Sequence, residues 1–157
     1  MKEDEVSGQF RFRLGRREQL VLFKHKDEPT SHLRLKAIAY ALFFRYANLQ
    51  VSPRLGYKVQ PDLAALNLQG EPEVWIQCAF GNLDKIEYIC KHVPARQVVL
   101  VTEEESTDDL VARLRKRLHY RHTTAKLKVV NFHPPVESWL DPDDLDVPSD
   151  AYDEVEF

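Results

Sequence analysis

Glu73-Val74-Trp75-Ile76-Gln77-Cys78 is rich in β-branched and aromatic residues, follows a Gln69-Gly70-Glu71-Pro72 turn and precedes a helical stretch over 82–92 that Pro94 ends. Such a run reads as a strand leading into a helix, the repeating unit of α/β proteins. Downstream the alternation continues. Gln97 to Thr102 is a continuous apolar run of the kind found in a central strand, Thr107 to His119 is an amphipathic helix, and Leu127 to Phe132 is a further strand.

Upstream, an extended segment from Asp62 to Leu68 and a shorter one around Tyr57 to Val59 precede the key strand. Before them, His32 to Asn48 reads as a long helix with Leu35, Ile38, Ala39, Leu42 and Phe43 along one side. It is apolar nearly all round between Ala37 and Phe44, which implies burial, and Thr30 or Ser31 is placed to cap it. Asn48 to Arg54 reads as the loop that follows, marked by Pro53. Gln9 to Leu14 alternates polar and apolar residues, and with Gln19 to Lys24 across a Gly15-Arg16-Arg17 turn it reads as a β-hairpin. The order β-β-α-β-β-β-α-β-α-β implies an α/β domain, a mixed β-sheet flanked by helices.

A single domain over 1–133 suits a chain of 157 residues. The segment 134–157 differs in kind: it carries Pro134, Pro135, Pro142 and Pro148, is rich in Asp and Glu, and has no Lys or Arg. That composition predicts a mobile or draped acidic extension, able to dock on a protein partner. The two cysteines, Cys78 and Cys90, fit buried thiols in a reducing compartment. The charged N-terminus lacks the apolar run of a signal peptide, and Ala37 to Phe44 is far too short to span a bilayer. The expectation is a cytoplasmic protein without membrane contact. No P-loop, Rossmann glycine pattern or nucleophile elbow is present.

The residues that carry chemistry begin with Pro61-Asp62, which opens an extended segment fifteen residues before Gln77 at the end of the key strand. With the long helix ahead of both, the chain resembles the core of the PD-(D/E)XK nuclease superfamily, and more narrowly the YaeQ family. The matching stretches are Glu28-Pro29-Thr30-Ser31 leading into the Leu33 to Leu42 helix, Pro61-Asp62, Glu73 to Gln77, and Asp84-Lys85-Ile86 to Cys90. The resemblance runs from about Phe10 to Val101.

What the resemblance implies is a Mg²⁺ ion held by two acidic side chains and a backbone carbonyl on adjacent strands, with a lysine beside it, for phosphodiester hydrolysis. Asp62 matches the first acid. Gln77 stands at the second, where it would offer an amide oxygen but no charge, and the lysine position two residues on is Ala79. Lys85 could reach back from the following helix. Glu73 shares a strand face with Gln77, but four strand residues span about 13 Å, too far to replace it. Ser31, His32 or Glu28 stands near the position of the first-helix acid. The resemblance therefore implies Asp62, Gln77 and Lys85 as a catalytic set and Asp62 and Gln77 as metal ligands, with an eroded site. Without it, Asp62 reads as a turn-opening carboxylate and Gln77 as a strand residue satisfied by backbone.

Two other features remain. Arg113, Arg115, Lys116, Arg117, Arg121, Lys126 and Lys128 form a basic run with no acid, interleaved with His119, Tyr120 and His122. Such a run fits either a DNA or RNA phosphate backbone or a solvated helix face. The acidic tail could fold over it. His119, His122 and His133 lack the Cys or carboxylate spacing of a zinc site. Three functions follow: a nuclease fold with an eroded metal site that binds nucleic acid or a protein partner rather than cutting efficiently, an active Mg²⁺-dependent nuclease, and an interaction module with no nucleic-acid role.

Overall fold

The computed structural model describes residues 8–15, 18–79, 81–118 and 126–157. Its elements are β1 (Gly8–Leu14), β2 (Glu18–Lys24), α1 (Thr30–Phe43), β3 (Leu49–Val51), β4 (Leu63–Leu66), β5 (Pro72–Cys78), α2 (Leu83–His92), β6 (Gln97–Thr102), α3 (Thr107–Arg117), β7 (Leu127–Phe132) and β8 (Tyr152–Glu156). β3 to β8 form one six-stranded sheet in sequence order, and β1 and β2 form a separate antiparallel hairpin. The central pairs β5–β6 and β6–β7 are parallel, while β3–β4, β4–β5 and β7–β8 are antiparallel. The fold is the expected mixed sheet flanked by helices.

Side-chain alternation along the strands sorts the core into two layers. On one face Leu63, Ala65, Val74, Ile76, Cys78, Val99, Val101 and Val130 pack under α1 and the hairpin. On the other, Trp75, Val98, Leu100, Leu127 and Val129 pack under α2 and α3. β6 lies at the centre, with Val98 to Thr102 buried, so both of its faces must be apolar. The weak amphipathicity of α1 has the same cause. α1 is enclosed between the hairpin and the sheet, which together bury Leu33, Leu35, Ala37, Ile38, Ala39 and Phe43. Among the described residues no helix is long and apolar enough to cross a membrane.

Four local expectations are corrected. No side chain caps α1: Pro29 is its N-cap residue, and its carbonyl accepts from His32 and Leu33 N–H. The stretch around Tyr57 to Val59 is not a strand, because the Gln60 side chain folds back onto Leu55 N–H, Leu55 C=O and Tyr57 C=O. The missing strand is β3, inside the segment read as a loop. Of the mobile and draped alternatives for 134–157 the mobile one is corrected: β8 pairs with β7, Leu145 N–H donates to Arg13 C=O, and Val136, Leu145 and Ala151 are buried. The segment's apolar residues are few but well placed, and the backbone ladder satisfies the rest.

Candidate functional site at the carboxyl ends of the parallel strands

In open α/β sheets the crevice beyond the carboxyl ends of the parallel strands is the usual ligand site. Here the ends of β5 and β6 deliver Gln77, Cys78 and Ala79, then Glu103 and Glu104, and the N-terminus of α1 brings Glu28, Ser31, His32 and Lys36 to the same edge. A cleft of about 300 Å³ is lined by Pro29, Ser31, His32, Leu35, Ala79, Glu103 and Glu104. Ala79 has a φ of 74°, the left-handed region where a side chain is strained.

Asp62 precedes β4 and is fixed there by its N–H, which donates to Ile76 C=O. Its Oδ2 accepts from Cys78 N–H at 2.7 Å and from the Gln77 amide at 3.0 Å. Its Oδ1 lies 3.2 Å from His32 Nε2. The other ring nitrogen, Nδ1, lies 2.8 Å from Glu28 Oε2, and Lys36 Nζ lies 2.9 Å from that same oxygen. The side chains of Glu28, Lys36 and Asp62 are 8%, 10% and 13% exposed, whereas His32, at 24%, reaches the cleft. An ionised carboxylate only accepts hydrogen bonds, so an imidazole between two of them carries a proton on both nitrogens. The cluster then balances two negative charges with two positive ones.

The titration directions agree with that geometry. Burial alone would lower the His32 pKa, but the hydrogen bond and charge of Asp62, helped by Glu28, raise it above 6.5. Burial would raise that of Glu28, but hydrogen bonds from Lys36 and His32 pull it below 4.5. Burial, with the charge of Asp62 beside it, pushes the Cys78 thiol well above its ordinary range.

Of the residues read from the sequence, Asp62 and Gln77 meet, and Glu28 and His32 join them. Lys85 lies in the first turn of α2, with no hydrogen bond or ion pair to Asp62 or Gln77. Glu73 faces solvent beside a different cleft with Tyr46 and Arg96. Lys36 was not anticipated. Its signal was the Glu28, His32, Lys36 spacing of four along the start of a helix, hidden by the apolar residues around it.

The donor set does not fit a Mg²⁺ ion. Mg²⁺ needs oxygen ligands, yet Gln77 turns its NH₂ to Asp62 while its amide oxygen accepts from Trp75 Nε1 at 3.1 Å. Trp75 only donates and Asp62 only accepts, so reversing the amide would break both contacts. No group of three His, Cys, Asp or Glu side chains suited to a metal occurs among the described residues. His119 and His122 lie outside the described residues, and His133 pairs with Asp153 at 3.1 Å.

Most of the basic run has intramolecular partners. Arg117 pairs with Asp84 and Glu87, Lys128 with Glu154 at 2.7 Å, and Arg113 lies 3.9 Å from Glu104. Lys126 donates to Val93 C=O, and Arg115 lies over the Phe157 ring. Arg115, Lys116 and Arg117 form the last turn of α3, opposite Asp108 and Asp109 in the first, the arrangement that a helix dipole favours. Lys116 is exposed, and Arg121 lies outside the described residues.

Comparison with known proteins places this architecture. Solved structures share the fold, two YaeQ proteins among them. YaeQ protein from Xanthomonas axonopodis pv. citri matches with a TM-score of 0.63 and 17% identity, covering 87% of this chain and 81% of that one. YaeQ protein from Pseudomonas syringae matches with a TM-score of 0.65 and 14% identity, covering 99% of this chain and 95% of that one. No curated protein is matched. The sequence model of the YaeQ protein family matches residues 13–141, and the chain belongs to that family.

Proposed function

We propose that this YaeQ family chain is a PD-(D/E)XK nuclease-like protein that binds a partner and does not cut phosphodiesters. One observation carries the reading. Gln77, at the position of the second acid, presents its NH₂ to Asp62 and has its oxygen engaged by Trp75. A hydrolytic site of this type needs oxygens converging on a cation and a lysine nearby. Lys36 is close but donates to Glu28, and Lys85 is not in contact.

A protein partner is the favoured ligand. The basic residues that would meet a phosphate backbone are largely paired with Asp84, Glu87, Glu104 and Glu154, and Glu103 and Glu104 line the cleft. Nucleic acid is the second reading, carried by exposed Lys116 beside Arg113, Arg115 and Arg117 at the end of α3. Free, buried Cys78 and Cys90 support a cytoplasmic setting.

The test incubates wild type and Asp62→Ala with supercoiled plasmid, single-stranded DNA and RNA in Mg²⁺ or Mn²⁺. The reading expects no cleavage by either protein. Metal-dependent cleavage by wild type that Asp62→Ala abolishes would establish the active nuclease instead. Fluorescence anisotropy on the same substrates separates the ligands: nucleic-acid binding requires an affinity that falls steeply with salt.

A further inference from the structure

The resemblance implies a cation on Asp62 and the neighbouring strand, yet the donors here do not suit one. Asp62, before β4, nevertheless has a second acid near it, Glu28 in the turn before α1, and both are mostly buried. Two buried carboxylates facing one another need positive charge between them. We infer that the ring of His32 holds this cation position, joining Asp62 to Glu28 in place of a divalent metal.

Three observations carry the inference. First, the His32 ring bridges the two acids, with Nε2 3.2 Å from Asp62 Oδ1 and Nδ1 2.8 Å from Glu28 Oε2. Two oxygens bound to one Mg²⁺ lie at most about 4.2 Å apart, and a ring with a hydrogen bond at each end holds them farther apart than that. Secondly, Lys36 adds its charge to the same Glu28 oxygen, so the cluster is balanced without an outside ion. Thirdly, the remaining oxygen of Asp62 is filled by protein donors, Gln77 NH₂ and Cys78 N–H, leaving the edge toward His32 as the open one. His32 and Lys36 lie one turn apart on α1, so a single helix turn supplies both positive charges. Removing the ring would leave two carboxylates and one ammonium around a space that opens on the cleft through Ser31 and Ala79. That is a site for a hydrated divalent ion.

This inference rests on the non-cleaving reading and adds its cause, so the experiment must let each fail alone. Mn²⁺ is titrated by calorimetry and by thermal unfolding into the full chain as wild type, His32→Ala, Asp62→Asn and His32→Ala/Asp62→Asn. Wild type is expected to show no saturable binding and no Mn²⁺-dependent change in midpoint. His32→Ala is expected to bind Mn²⁺ with Kd below about 1 mM and to regain at least about 3 °C of its lost midpoint in a tenfold excess. Equal ionic strength from NaCl should not do so, and the double variant should lose the effect. If the alanine variant does not fold, His32→Asn, which keeps a donor to one acid, takes its place in the same series. Folded His32 variants that bind no Mn²⁺ overturn this inference and leave the non-cleaving reading standing. Saturable Mn²⁺ binding to wild type that Asp62→Asn abolishes overturns this inference, and only metal-dependent cleavage of the plasmid or RNA overturns the non-cleaving reading as well.

Discussion

Gln77 and Asp62 face one another across β5 and the entry to β4, with the glutamine NH₂ 3.0 Å from Asp62 Oδ2. The contact is one link in a chain that runs from Trp75 through Gln77, Asp62 and His32 to Glu28 and Lys36. It ties the α2/α3 side of the sheet to the start of α1 on the other side. Each member has a donor or acceptor partner that fixes the orientation of the next, as buried polar networks require.

Replacing Gln77 by Glu removes the donor to Asp62 Oδ2. A second carboxylate facing Asp62 Oδ2 repels it when both are ionised, which favours protonation of one of the pair. We expect a loss of about 1–3 kcal/mol at neutral pH from the lost hydrogen bond and the like-charge contact. The new acid would have a raised pKa in the folded state, so the loss should shrink as pH falls from 7.5 to 5. Urea midpoints at the two pH values check the sign.

The charge pairing of Glu28 and Lys36 is the second quantity to measure. Lys36→Met leaves a buried carboxylate, whose Oε1 has no protein partner, with His32 alone. A loss on the order of 3 kcal/mol is expected, as for other buried pairs broken on one side. Glu28→Gln combined with Lys36→Met should recover part of it. Chemical denaturation of the two single variants and the double variant gives the coupling energy directly.

Stability should peak at mildly acidic pH. The folded His32 pKa lies above 6.5, so its contribution is complete below 6.5 and is lost as pH rises through the folded value. Glu28 is depressed below 4.5, so its contribution is present above 4.5 and is lost as pH falls through the folded value. The two windows overlap between 4.5 and 6.5. A denaturation series from pH 4 to 9 should show stability declining on the alkaline side. His32→Ala should flatten that decline; an unchanged slope would contradict the cluster.

The tail supplies a prediction of a different kind. β8 covers the edge of β7, and Glu154 pairs with Lys128 at 2.7 Å. Ending the chain before Tyr152 should lower the thermal midpoint and leave β7 as an open edge prone to self-association. Loss of Glu154 also frees Lys128, so a gain in nucleic-acid affinity may only be assigned to charge if Glu154→Gln in the full chain reproduces it. Light scattering and anisotropy on the truncated chain and Glu154→Gln separate the two effects.

The sequence made the centre of the fold plain and the edges obscure. Gln97–Thr102 and Leu127–Phe132 stand in the structure at the bounds their apolar runs suggest, because a strand buried on both faces has little freedom in composition. β3 and β8 are edge strands, and their residues include Gln50, Asp153, Glu154 and Glu156, which face solvent and mask the period of two. The site was half legible. Asp62 and Gln77 could be paired through strand order, and Glu28 and His32 lay near the start of the helix. Lys36 sits among Leu35, Ala37 and Ile38, where the apolar surroundings concealed a charged residue aimed back at Glu28. The orientation of the Gln77 amide depends on Trp75, and no sequence pattern specifies it.

The most direct test of a site closed to metal is calorimetric titration of Mg²⁺ and Mn²⁺ into wild type and Asp62→Ala under identical conditions. The account predicts no saturable heat for either protein, because Asp62 is already held by His32, Gln77 and Cys78. Saturable binding to wild type that Asp62→Ala removes would contradict it and restore the metal-dependent site.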